Sequence, residues 1–166
     1  VDGRKINLSG ELRGLYENFP FDNNNGRLQL RATVKDAVLN FNSKWPKLTK
    51  FDANILFTPY QLDIDVAKLP IGAGNVAENV RVSILDLNKK DIALTVTGNV
   101  DSSFSRVINY LSVSPIAEKV GIQKFLKANK EYKGKAKVRL DQVWIPISGY
   151  ENADISVKGQ VNLSNA

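Results

Sequence analysis

Apolar and polar residues alternate along most of this chain with a period of two. Leu28, Leu30, Ala32 and Val34 interleave with Arg27, Gln29, Arg31 and Thr33. The same beat recurs at Phe51-Ala53-Ile55-Phe57, Leu62-Ile64-Val66, Ile92-Leu94-Val96, Ala136-Val138-Leu140 and Ala153-Ile155-Val157. Successive side chains of a strand point to opposite faces, so each run builds one aliphatic face and one polar face. The chain is therefore predicted to be mainly β. Its apolar face needs cover, and the candidates are a second sheet, helices or lipid.

Residues 5–14 read as a first strand, with Ile6, Leu8 and Leu12 on one face. The cluster Asp22-Asn23-Asn24-Asn25-Gly26 reads as a turn, because Asn and Gly tolerate positive φ. Strands are predicted at about 27–35, 37–42, 50–58, 60–66, 79–86 and 91–100, then at about 133–142 and 152–163. Their close succession argues for antiparallel neighbours. Pro70-Ile71-Gly72-Ala73-Gly74 reads as a loop or a bulged edge. Between 103 and 129 the period becomes helical: Phe104, Val107, Ile108 and Leu111 fall three to four apart. Ser102-Ser103 suit the cap of that helix, and Ser114-Pro115 suit a restart before Gly121. With Ile116 and Phe125 the insert either covers one end of the sheet or docks to a neighbouring domain. Trp45-Pro46…Ala53-Asn54-Ile55 has a faint echo one hundred positions later, in Trp144…Pro146…Ala153-Asp154-Ile155.

Composition narrows the chemistry. The 166 residues fit a single domain over 1–166. There is no cysteine, hence no disulfide or thiolate, and no histidine, the commonest general base and metal ligand. An enzyme is not expected, nor is a metal or cofactor. There is also no methionine, so Val1 is expected to be internal to a much longer protein. No apolar run approaches the ~20 residues of a membrane-spanning helix.

The net charge of +6 permits an acidic partner. Much of the excess lies in Lys127, Lys130, Lys133, Lys135, Lys137 and Arg139, opposed by Glu131. Such a run can meet anionic head groups or a charged partner. Charge runs usually face water, and the run suits a solvated loop and edge strand whose lysines discourage pairing with other chains better still. Nucleic acid is not expected, because the basic positions alternate with aliphatics rather than with exposed aromatics. Asp63 and Asp65 share a strand face but alternate with Leu62, Ile64 and Val66, as a water-facing row does.

The segment Ala37-Val38-Leu39-Asn40-Phe41…Lys44-Trp45-Pro46-Lys47-Leu48…Phe51-Asp52-Ala53-Asn54-Ile55-Leu56-Phe57 resembles the strand, Trp-Pro, strand element of AsmA-like proteins, in their YhdP branch. Ile84-Leu85-Asp86-Leu87, Leu94-Thr95-Val96-Thr97-Gly98, Asn109-Tyr110-Leu111…Ser114-Pro115-Ile116 and Ile145-Pro146-Ile147 extend the resemblance over most of 20–163. It implies an internal piece of a long protein of Gram-negative bacteria, anchored in the inner membrane and crossing the periplasm. Repeated β-groove units would carry phospholipid toward the outer membrane, maintaining its barrier. Membrane contact would come from parts outside this segment.

The resulting expectation is a strongly curved antiparallel sheet, U-shaped in section, with a short helical insert near 103–129. Its acyl-chain lining is expected to be Leu28, Leu30, Val34, Leu39, Phe41, Phe51, Ile55, Phe57, Leu62, Ile64, Val82, Ile84, Leu94, Val96, Val138, Leu140, Ile155 and Val157. Head-group or partner contact is assigned to Lys130, Lys133, Lys135 and Lys137. The expected partners are phospholipid acyl chains and neighbouring domains of the same chain, and free strand edges would allow self-association. The rival reading is a closed β-sandwich that spaces or docks envelope components without touching lipid. A sandwich buries its aliphatic face, whereas a groove leaves large aliphatics open to solvent.

Overall fold

The computed structural model describes residues 5–40, 46–114, 133–148 and 154–164. The strands are β1 (Lys5–Gly14), β2 (Gly26–Leu39), β3 (Leu48–Phe57), β4 (Leu62–Gly72), β5 (Asn75–Ile84), β6 (Ile92–Ser103), β7 (Lys135–Ser148) and β8 (Ser156–Ser164). They form one eight-stranded sheet in the order β1 to β8, every neighbour antiparallel. The sheet is open: β1 and β8 are its two edges. No second sheet covers it among the described residues, so the sandwich architecture is not adopted there.

Bulges bend the strands and explain how one sheet can bury its own face. Val34 pairs with Ala53 and Ala37 with Phe51, which leaves Lys35 and Asp36 together opposite Asp52. Asp36 sits at φ 51° and Lys50, the compensating extra residue on β3, at φ 56°. Asn79 (φ 52°) lies at a register shift between β5 and β6, and a further shift falls between Leu140 and Gln142 on β7. Each bulge kinks its strand, increases local twist and resets which positions face inward. Val34, Ala37, Phe51, Ala53, Val66, Leu69, Ala77, Val80 and Val100 flank these bends and pack as one buried cluster. The sheet is thus folded along a crease, U-shaped across its strands, with the cluster as its floor. At the crease Gly98 admits Val80, since a Cβ there would lie 3.2 Å from Val80 Cγ2.

Several strand boundaries differ from those the sequence predicts. Strand β5 starts at Asn75 rather than 79, β6 runs to Ser103 rather than 100, β7 runs to Ser148 rather than 142, and β8 starts at Ser156 rather than 152. The two strands expected at 27–35 and 37–42 are one strand, β2, carried through the Asp36 bulge as far as Leu39. The loop expected at 70–74 is mostly strand: β4 runs to Gly72, and Ala73 (φ 51°) and Gly74 (φ 72°) make a two-residue hairpin turn. Pro70 is tolerated because β3 pairs with β4 only through Leu62–Asp65. Its missing N–H therefore costs no ladder bond on that side. Pro146 likewise lies in β7, beyond Trp144↔Ser156, the last β8 pairing.

The helical period yields α1 (Phe104–Ser112). Ser103 is its N-cap, accepting from the Arg106 backbone N–H at 3.4 Å. Ile108, Phe104 and Leu111 form a small cluster of their own where α1 packs on β5, β6 and β7. Asn75, buried in the β4–β5 turn, donates to the Arg106 carbonyl (3.0 Å) and ties the helix to that rim. The expected continuation through Pro115, Ile116, Gly121 and Phe125 lies outside the described residues.

Candidate functional site

The ladder places most aliphatic positions of the eight strands on one face, with Val38 and Leu56 among the exceptions on the other. Across the aliphatic face run Ile6↔Val34, Leu12↔Leu28, Leu30↔Phe57, Ile55↔Ile64, Ile64↔Val82, Val82↔Val96, Val96↔Val143, Val138↔Val161 and Val143↔Val157. Directly opposed residues point to the same side of a sheet. The face is therefore continuous along the hydrogen-bonding direction. Seven strand spacings at about 4.8 Å make it roughly 34 Å long.

The expected lining residues fall on this face wherever the ladder includes them. Leu28, Leu30, Val34 and Leu39 come from β2, and Phe51, Ile55 and Phe57 from β3. Leu62 and Ile64 (β4), Val82 and Ile84 (β5), and Leu94 and Val96 (β6) continue the row. Val138, Leu140 and Val157 complete it on β7 and β8. Ile155 precedes β8 and is half-buried; Phe41 lies outside the described residues. Strict alternation misses Ala37, Leu69, Ala77 and Val143, which the bulges turn inward. Ile6, Leu8 and Leu12 also belong to the face, through their partners on β2.

Burial along this face is uneven. Val34 is 4% exposed at the crease, whereas Leu8 on β1 is 69% exposed and Leu163 on β8 is 59% exposed. Leu12, Ile6, Val157 and Val161 are open as well. Large aliphatic side chains thus stand in solvent at both ends of a continuous apolar surface.

The opposite face is polar and internally paired. Lys35 reaches Asp52 at 2.8 Å, and Arg81 grips Asp65 through Nε (2.7 Å) and Nη2 (3.1 Å). Asp63 accepts from Ser83 (2.6 Å) and Gln61 (2.7 Å), which explains the Asp63–Asp65 row without chemistry. The hydrogen bond from Lys35 holds the Asp52 carboxyl below the ordinary carboxylate range, helped by the Asp36 backbone N–H. Lys135 and Lys137 sit on this outer face, and Lys137 lies 3.7 Å from Asp101. Lys133 precedes β7 beside Gly134, whose carbonyl accepts from the Phe104 N–H. Lys135, Lys137 and Arg139 therefore do not join the aliphatic face; Lys127 and Lys130 lie outside the described residues.

Among the described residues no group of three or more acidic, histidine or cysteine side chains gathers to hold a metal ion. None of the helices there is long and apolar enough to cross a membrane. No curated protein and no solved structure matches the chain. A family model described as YhdP protein matches residues 3–166. The chain, with its open, one-sided sheet, thus belongs to the YhdP protein family.

Proposed function

We propose that this chain holds lipid acyl chains along its aliphatic groove, as one segment of a path that conducts phospholipid through the bacterial envelope. The observation that carries the reading is the continuous apolar face across eight strands, with no second sheet over it among the described residues and open aliphatics at both ends. At roughly 34 Å it exceeds the about 15 Å of one bilayer leaflet's hydrocarbon. YhdP membership supports an envelope protein, and on this reading the segment lies in the periplasm while the inner-membrane anchor is elsewhere in the full-length protein.

Transfer of this kind needs no covalent step. Each methylene kept from water is worth about 0.8 kcal/mol, so a sliding chain exchanges one apolar neighbour for the next. Head groups stay in water along the open side of the U. The role requires unbroken apolar lining rather than one binding pocket. An inward charge would interrupt it, because an unpaired ion in apolar surroundings carries a heavy desolvation penalty.

Native mass spectrometry with lipid extraction tests this on protein purified from bacterial cells without detergent. Co-purifying phospholipid is expected. It should be lost from the Ile55→Asp and Leu94→Asp variants while their cooperative melts persist. A lipid-free wild-type protein would favour a structural module of the envelope instead.

A further inference from the structure

The β1–β2 loop carries a buried aromatic that the groove reading leaves unexplained. Phe21 is only 5% exposed, although it lies in a loop followed by Asp22-Asn23-Asn24-Asn25. Its backbone is held at φ 73°, a region that bulky side chains avoid unless the surroundings compensate. Its ring lies on the cross-strand pair Gly14↔Gly26. A Cβ at Gly14 would come 2.9 Å from the ring, and a Cβ at Gly26 would collide with it outright. Gly26 shares its face with Leu28 and Leu30 by strand alternation, so the ring sits on the groove side. Phe19 meets Phe21 edge-on at 5.8 Å.

The loop is also tethered. The Tyr60 hydroxyl, from the β3–β4 turn, lies 2.9 Å from Asp22 Oδ1 and 3.1 Å from the Pro20 carbonyl, flanking Phe21 on both sides in sequence. The Tyr60 carbonyl in turn accepts from the Leu87 N–H at 2.6 Å. One tyrosine therefore links three loops along the same rim of the U.

We propose that this loop is a tethered stopper: Phe21 occupies the groove wall at the β1 end, Tyr60 holds it there, and the loop must lift for an acyl chain to lie along that wall. The inference rests on the lipid-binding reading and adds a gate to it. An aromatic ring supplies the apolar contact that a hydrocarbon chain would otherwise make, so loop and lipid compete for one surface.

The test is stopped-flow uptake of cis-parinaric acid by wild-type protein, Tyr60→Phe and Gly26→Ala, with Arg81→Gln on the outer face as control. Tyr60→Phe keeps the ring and removes the tether, and should speed uptake about fivefold, the weight of one hydrogen bond. Gly26→Ala displaces the Phe21 ring and should speed it further. Its Cβ also meets the Arg13 carbonyl oxygen at 2.6 Å, so Tyr60→Phe, which leaves the β1–β2 pair intact, isolates the tether. If Gly26→Ala does not fold, Tyr60→Phe decides alone. Because the chain has no cysteine, Asn23→Cys accepts a single fluorophore, whose emission should shift as parinaric acid binds. Uptake at the wild-type rate in both variants, or a label that stays silent during binding, overturns the stopper and leaves the groove standing. No uptake by any of the proteins overturns both.

Discussion

The central strands and the edge strands share one alternation and differ in what covers it. Val34, Phe51, Val66 and Val80 sit at the crease and are shut away, while Leu8, Leu12, Val161 and Leu163 carry equally apolar side chains in solvent. The reason is local backbone geometry. Strands β2, β3, β5 and β7 carry bulges or register shifts that fold the sheet over its floor, whereas β1 follows β2 without a shift from Lys5 to Gly14. An edge strand also has a neighbour on one side only. Periodicity determines which face a residue joins; the bends determine whether the protein itself covers it.

The largest effect should come from emptying the crease. Phe51→Ala removes a buried ring and is expected to cost about 3 kcal/mol in urea unfolding, while Leu8→Ala should cost less than about 1 kcal/mol. Comparable losses would mean that the edge strand is covered after all. Next in size is Gly159, which faces the groove on β8 opposite Leu140. An added Cβ would lie 2.5 Å from the Arg139 carbonyl oxygen, so Gly159→Ala should detach β8 locally. Hydrogen exchange should then rise across Ser156–Ser164 with the β2–β6 amides still protected. A global loss of protection would show instead that the edge belongs to the central cooperative unit.

A smaller effect is expected at the rim. Lost hydration of the ring, then the hydrogen bond to Asp22, raise the Tyr60 phenol above its ordinary 10.0. A raised folded value means that the tether is whole below pH 10.0 and weakens as pH climbs through the folded value. Protection of the 15–25 loop should fall over that range in wild type and show no such step in Tyr60→Phe. The smallest effect should be on the outer face, where Arg81→Gln removes an exposed pair with Asp65 and should leave the urea midpoint where it was.

The fold was legible where strands are regular. Residues 5–14 carry an unbroken alternation and form β1 over those same bounds. Ser103 announces α1 through capping chemistry. The bends were hidden, because the positive-φ residues at the first pair of bulges are Asp36 and Lys50, neither of them glycine. Nothing in local composition separates such a lysine from one in an ordinary strand. Pro70 and Pro146 pointed the other way: each signals a break, and each lies where one flank has no ladder bond to lose. Most of the groove row was readable from alternation, apart from the parity changes at Ala37, Leu69, Ala77 and Val143. Phe21 was not, because its burial depends on a glycine pair that matters only after β1 and β2 have come together.

The most direct test of the lipid path is photocrosslinking in living bacteria, with a photoreactive phenylalanine analogue placed on alternate sides of single strands. Leu30, Ile64 and Val96 face the groove; Arg31, Asp65 and Thr97 beside them face outward. The account predicts phospholipid adducts at the first three positions and none at their neighbours. Equal labelling of both faces, or protein adducts alone at Leu30, Ile64 and Val96, would contradict it.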